Sequence, residues 1–443
     1  MSEHFDLIVR GGTVVSVEAE TAADIGIRNG RVTVIGDLTG ASGEVLDARG
    51  LHVLPGVIDT QVHFREPGLE HKEDLASGTA AAALGGVTAV FEMPNTQPPT
   101  TSEAALADKL RRAHGRAWVD YAFYVGASAD NVGDLPALER LPGCCGIKVF
   151  MGSSTGSLLV PDDQTLAKVL RAGKRRVAVH AEDEARLIER KPLARGDGGV
   201  LLHPLWRDAE CARRATARLL DLARAARRPV HVLHVSTAEE MALLADARDI
   251  ASVEVTPQHL TLAAPDCYQR LGSYAQMNPP IRDSNHRDAL WRALAAGVVD
   301  VIGSDHAPHS RAEKDRAYPD TPSGMPGVQT LVPIMLDHLN AGRLTLARLV
   351  ELTSAAAARL FGIEGKGAIR PGRDADLTLV DLKARRQITD SWIRSKCGWT
   401  PFAGMTVTGW PKATVIRGRL VMRDDQLIGA PGGQPVQFRE TEA

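Results

Sequence analysis

Three histidines, one lysine and one aspartate sit at or near the C-terminal ends of separate β-branched runs, and together they could serve a divalent metal. His63 closes Val53–His63, Lys148 lies in Gly146–Gly152, His180 in Val177–Glu182, His234 in Val230–Ser236 and Asp305 in Val299–Pro308. Asn95 follows a further run, Val87–Met93. Imidazole and carboxylate suit a zinc-like ion, and a catalytic site of this kind keeps one position open for water. An ammonium cannot ligate, so the lysine requires a pKa depressed by burial. Taken singly, each residue reads as a satisfied core group. Their convergence at equivalent strand ends makes a shared site the better reading. His231 lies three residues before His234, so strand parity is expected to turn it to the other face; it is given a structural part.

The elements that must position these groups alternate with regularity. Together with Trp118–Gly126 and Ser252–Gln258 there are eight strand-like runs, separated by helical stretches such as Leu75–Leu84, Glu103–His114, Arg207–Ala226 and Arg287–Ala296. Such alternation implies parallel strands and a (β/α)8 TIM barrel, whose chemistry collects at the C-terminal strand ends. Leu344–Leu360 is expected to close the last unit. Gly303–Gln329, with Pro308, Pro319, Pro322 and Pro326, reads as an active-site loop or lid.

Both chain ends have another texture. Asp6–Val17, Asp24–Ile35 and Glu44–Ala48 alternate as strands around an Asn29-Gly30 turn; Ala375–Asp381 and Ala413–Arg423 repeat the pattern around Arg417-Gly418. The expectation is a small β-sandwich domain built from residues 1–53 and 370–443, flanking a barrel of residues 54–369.

A chain of 443 residues with a formal charge of -2 lacks the basic excess of a nucleic-acid binder. Its five cysteines show no C-x-x-C and no framework spacing, so neither a disulfide scaffold nor a zinc ribbon follows. No signal peptide or membrane-spanning run is visible, which fits a soluble cytoplasmic setting.

Leu54–Asp59, Val62–Gly68, Glu92–Thr96, Gly146–Met151, Val179–Glu182, Leu233–Thr237, Met277–Arg282, Ser304–His309 and Gly324–Gly327 run in order over most of the chain. In these segments the chain resembles the amidohydrolase superfamily and, within its cyclic amidase branch, the dihydroorotases. Those enzymes interconvert dihydroorotate and N-carbamoyl-aspartate in pyrimidine synthesis. The resemblance implies one or two zinc ions per subunit, held by His63, Lys148, His180, His234 and Asp305, with Lys148 carboxylated. It implies Asp305 as general base and then general acid toward a water that the metal activates. Arg65, Asn95 and His309 are implied to hold the substrate carboxylate, and Asn278 with the backbone around Gly324–Gly327 the ring amide. A guanidinium fork suits a ring that bears a carboxylate; hydantoinases and dihydropyrimidinases, which take uncharged rings, generally lack that arginine.

The family pattern on the first strand is His-x-His, whereas this chain has Gln61-Val62-His63. Two residues apart on a strand, Gln61 and His63 share a face, but an amide oxygen is a poor zinc ligand. Two ions with one held weakly, a single ion, or lost catalysis all follow from that change. The last would leave a scaffold for a partner such as aspartate transcarbamoylase. An allantoin- or hydantoin-opening amidase is the other enzyme reading; the sequence does not fix the oligomeric state, and a homo-oligomer is one assembly it allows. Gln258-His259, near the predicted barrel mouth, has no assigned role.

Overall fold

Runs of Val, Ile, Ala and Phe bounded by Gly and Pro form strands that are buried on both faces, as a sheet covered by helices requires. The computed structural model describes residues 3–154 and 158–439; residues 1–2, 155–157 and 440–443, the outer ends of the two chain-end segments among them, lie outside the described residues. Among the described residues, eight parallel strands pair in chain order: Val57–Val62, Val87–Glu92, Asp120–Gly126, Cys144–Phe150, Val177–His180, Val230–Val232, Ala251–Val255 and Val301–Ile302. The ring is drawn together where Val62 bridges His306 in parallel and the His63 N–H donates to His306 O at 2.7 Å.

Helices Glu103–Ala113, Asp163–Arg171, Ala209–Ala226 and Ala238–Ala245 start where Ser102, Asp162, Asp208 and Thr237 accept a backbone N–H. Such caps satisfy donors that the first turn leaves open. The helix that follows the eighth strand is Leu331–Asn340. The run expected to close that unit is instead Leu346–Val350, a π turn over Glu351–Ala355 and Ala356–Leu360. Its small side chains Ala357 and Ala358 let it approach the barrel interior, where Phe361 meets Phe91 edge-on.

The chain ends form one nine-stranded sheet. It runs Gln426–Leu427, Arg419–Arg423, Thr406–Ile416, Leu377–Gln387, His52–Pro55, His4–Val15, Glu20–Arg28 and Arg31–Gly36, with Ser42–Asp47 beside His4–Val15. The two ends meet where His52–Pro55 pairs antiparallel with Leu377–Gln387. Asn29-Gly30 and Arg417-Gly418 are tight turns with positive φ at both residues (50° and 74°, 43° and 72°). This sheet has its own core around Val9, Ile25, Ile27, Val53, Leu377 and Val415.

His231 departs from the expected parity. Strand Val230–Val232 ends early, and His234 has a left-handed backbone with φ 38°, so alternation does not carry from 231 to 234. His231 faces the barrel interior, with Nδ1 2.7 Å from Ser252 Oγ, Nε2 3.3 Å from Glu254 and its ring against Phe361. Among the described residues no helix is long and apolar enough to cross a membrane, and the five cysteines are free, buried thiols.

Candidate active site

Strand ends and the loops that follow them bring Gln61, His63, Arg65, Asn95, Lys148, His180, His234, Asn278 and Asp305 to one tight cavity of about 20 Å3. Phe150, Ser154, Ala307, Ser323 and Gly324 complete its lining. Arg65, His234 and Asp305 adopt left-handed backbone, with φ of 65°, 38° and 43°. That conformation costs a non-glycine residue roughly 1–3 kcal/mol and persists where surrounding packing over-determines it. Here each strained residue leaves a strand end and turns its side chain to the same mouth. Gly324 has φ 146°, and a Cβ there would lie 2.4 Å from Ala307 O, so the loop can close on the cavity only with glycine.

The histidines and aspartate form two close pairs. His63 Nε2 is 3.2 Å from Asp305 Oδ1, and His180 Nδ1 is 3.1 Å from His234 Nε2. Ligands 2.0–2.1 Å from a tetrahedral zinc lie roughly 3.3 Å apart, so both separations match an edge of such a shell. No group of three or more His, Cys, Asp and Glu side chains among the described residues would hold an ion alone. Lys148 is what joins the pairs, since its charge acts on His63, His180, His234 and Asp305 alike. Its Nζ is buried without a hydrogen-bond partner, and burial pulls its pKa down to about 7 despite Asp305 and Glu254. A buried, unpartnered amine that burial makes easier to deprotonate, beside two ligand pairs, fits a metal site completed through that lysine.

The same burial lifts Asp305 to about 7, against the pull of Lys148, and drives His63 and His234 well below the ordinary histidine range. The ring orientations are set from behind. His63 Nδ1 is 2.8 Å from Asn95 Oδ1, and His180 Nε2 is 2.9 Å from Glu182, at ion-pair distance although not in hydrogen-bond alignment. Burial alone would raise Glu182, but Arg207 and His180 hold it ionised, with Arg207 Nε 3.1 Å from its carboxylate. A carboxylate behind a ligating imidazole fixes its tautomer and raises its basicity. Gln61 points into the cavity as strand parity requires, and its Nε2 donates to Asp305 Oδ1 at 3.0 Å while Oε1 has no partner.

Arg65 is 1% exposed; its Nε donates to Pro308 O at 3.2 Å, and Nη2 lies 3.3 Å from His309 Nε2. Among the described residues no acidic side chain forms an ion pair with it, and burial lowers its pKa to about 10. His309 sits behind Arg65 rather than in the cavity lining. At the opposite side Asn278 receives His203 Nε2 at 3.0 Å and reaches Ser154 Oγ at 3.3 Å. Gly327 is not in the lining; its N–H donates to His306 Nδ1 at 3.1 Å. Gln258 and His259 bond backbone carbonyls of Ser304 and Pro279, which fastens loops beside the mouth. Ser154, His203 and Arg207 escaped the sequence reading, because their partners lie tens of residues away and no local pattern marks them.

A model of the Amidohydrolase family matches residues 52–421. A dihydroorotase from Methanosarcina acetivorans is 37% identical over 426 residues, covering 93% of this chain and 90% of that protein. An allantoinase from Rubrobacter xylanophilus is 39% identical over 455 residues, covering 98% of each. The solved L-hydantoinase (dihydropyrimidinase) of Arthrobacter aurescens superposes with a TM-score of 0.93 at 32% identity, covering 98% of this chain and all of that one.

Proposed function

The chain belongs to the amidohydrolase family, and from that premise we propose that it opens the ring amide of dihydroorotate, interconverting it with N-carbamoyl-aspartate for pyrimidine synthesis. It is a hydrolase of cyclic amide bonds; the carboxylated ring is our reading of its substrate. The observation that carries it is Arg65, a guanidinium buried at the cavity with no acidic partner among the described residues. Burying a charge unpaired is expensive. A ligand carboxylate would return the missing partner in the bidentate geometry that a guanidinium favours.

His63, Lys148, His180, His234 and Asp305 would hold the metal, zinc in this reading, with Lys148 as a carbamate. When bound, such an ion supplies Lewis acidity, lowering the pKa of a water and polarising a carbonyl. The chain's own groups do the rest. Arg65 and His309 orient the ring by its carboxylate, Asn278 steadies the ring amide, and Asp305 takes the proton of the attacking water and delivers it to the leaving nitrogen. Asn95 accepts from His63 Nδ1, which keeps Nε2 turned to Asp305.

The allantoinase relative, matched over nearly its whole length, favours allantoin as the second reading. Both are separated by assaying dihydroorotate, allantoin and hydantoin side by side on wild type and Arg65→Met. Dihydroorotate should be the preferred substrate, and the substitution should cut its kcat/KM roughly ten- to hundredfold, the worth of a lost charged hydrogen bond. Allantoin turnover without dihydroorotate turnover by the wild type would sink the first reading in favour of the second.

A further inference from the structure

Lys72 lies in the loop after the first barrel strand, outside the set assigned to the site. Its side chain is 11% exposed. Nζ is 3.0 Å from Glu313 Oε1 and 3.1 Å from His309 Nδ1. Glu313 is itself fixed: it closes a capping box with Ser310 at the start of Arg311–Lys314, with Ser310 N–H donating to Oε2 at 3.0 Å. Paired to that carboxylate, Lys72 is an ammonium, and an ammonium has only hydrogens to give.

The consequence falls on His309. If Nδ1 accepts from Lys72, the ring proton must sit on Nε2, where it donates to Ser323 O at 3.0 Å. Arg65 Nη2, 3.3 Å from the same Nε2, then faces another donor and cannot bond to it. The His309 proton is thus spent on Ser323 O, and the Arg65 Nη2 N–H that faces it gains no acceptor there, beside a cavity lined by Arg65 and Ser323. In the other tautomer Nε2 would accept from Arg65, and the pair would close on itself.

We propose that Lys72 is a positioning residue for substrate recognition: by fixing His309 as the Nε2–H tautomer, with that proton given to Ser323 O, it leaves Arg65 Nη2 unspent on His309 and open as a donor for a ligand carboxylate. This rests on the reading of a carboxylated ring given above. Because Glu313 and His309 belong to the loop after the eighth strand, Lys72 also ties the first loop to the last at the anion end of the site.

Selective 15N-histidine NMR on the full-length protein, with the His309 signals assigned by His309→Asn, reads the tautomer directly. The wild type should show protonated Nε2 and unprotonated Nδ1, and Lys72→Met should shift population toward the reverse. In kinetics Lys72→Met should raise KM for dihydroorotate about tenfold, with a smaller change in kcat, the size expected for weakening one charged hydrogen bond. The preference for dihydroorotate over hydantoin should fall with it. Lys72→Arg, which retains a donor, should recover part of the loss. A wild-type His309 protonated on Nδ1 overturns the inference, even if Lys72→Met does not fold. So does an unchanged KM in a folded Lys72→Met enzyme. A wild type that shows the Nε2–H tautomer but leaves dihydroorotate intact would instead count against the proposed substrate, and with it against the carboxylate as the reason for the arrangement.

Discussion

Asp305 Oδ1 is approached by two groups at once, Gln61 Nε2 at 3.0 Å and His63 Nε2 at 3.2 Å. The Gln61 amide is the donor that holds the carboxylate from the first strand, because His63 gives its ring proton from Nδ1 to Asn95 and turns a lone pair toward Asp305. In the proposed mechanism Asp305 is the proton carrier, so replacing it with Ala should abolish ring opening, with a thermal melt close to wild type; substantial remaining turnover would refute the assignment. Gln61 offers a sharper prediction. Its amide N–H is spent on Asp305 and its oxygen is a weak ligand, so Gln61→His should raise the number of zinc ions bound per chain, measured by elemental analysis after dialysis. An unchanged ion count would mean that position 61 does not limit metal binding. His63, Lys148, His180, His234 and Asp305 were legible in the sequence because each belongs to a recognisable strand end. Lys72, Glu182 and Arg207 were not singled out, because long side chains reach partners fixed only by the fold: Lys72 meets His309 across 237 residues.

Elements were legible to the extent that burial sets their period. The eight barrel strands carry short apolar runs, buried along their whole length in all eight, and their order follows from alternation with helices. Parity failed where a strand ended early, at His231 and His234, because one left-handed residue resets the direction of every side chain that follows. The segment ending at Leu360 also read as one helix, since a π turn leaves no mark in composition. The loop between the eighth strand and Leu331–Asn340 does carry site residues, and its fit depends on Gly324. A Cβ at 2.4 Å from Ala307 O, in a conformation that side chains rarely adopt, must push the loop away. Gly324→Ala should therefore lower stability by roughly 1–3 kcal/mol and reduce kcat/KM, because Ser323 and Ala307 line the cavity beside it. Melting and steady-state kinetics on the same preparation would check both; full activity would show that the loop tolerates the shift.

At the scale of the whole molecule, the two sheets are joined by a buried ionic knot rather than by apolar packing alone. Lys366 lies 2.7 Å from Asp120 at the start of the third barrel strand and also bonds Asp376, just ahead of strand Leu377–Gln387. Arg417, at the turn after strand Thr406–Ile416, bonds Asp120 through its side chain and Asp376 Oδ1 through its backbone N–H at 2.8 Å. The backbone N–H of Gln434 adds a donor to Asp120 at 2.9 Å. Burial works against the charge on Lys366, but Asp376 and Asp120 more than offset it and raise its pKa above the ordinary lysine value. Removing one partner from a buried ion group strands the others, at a cost of about 3 kcal/mol or more. Lys366→Met should accordingly lower the melting temperature by several degrees while leaving the distant cavity intact. The pH dependence has a definite sign: a lysine whose pKa is raised on folding contributes its full stability below the unfolded value near 10.5 and loses it as pH climbs beyond. The gap in melting temperature between wild type and Lys366→Met should stay constant from neutral pH to about 9 and narrow above about 10.5. A gap that widened with rising pH would mean that the lysine is not what holds Asp120 and Asp376 together.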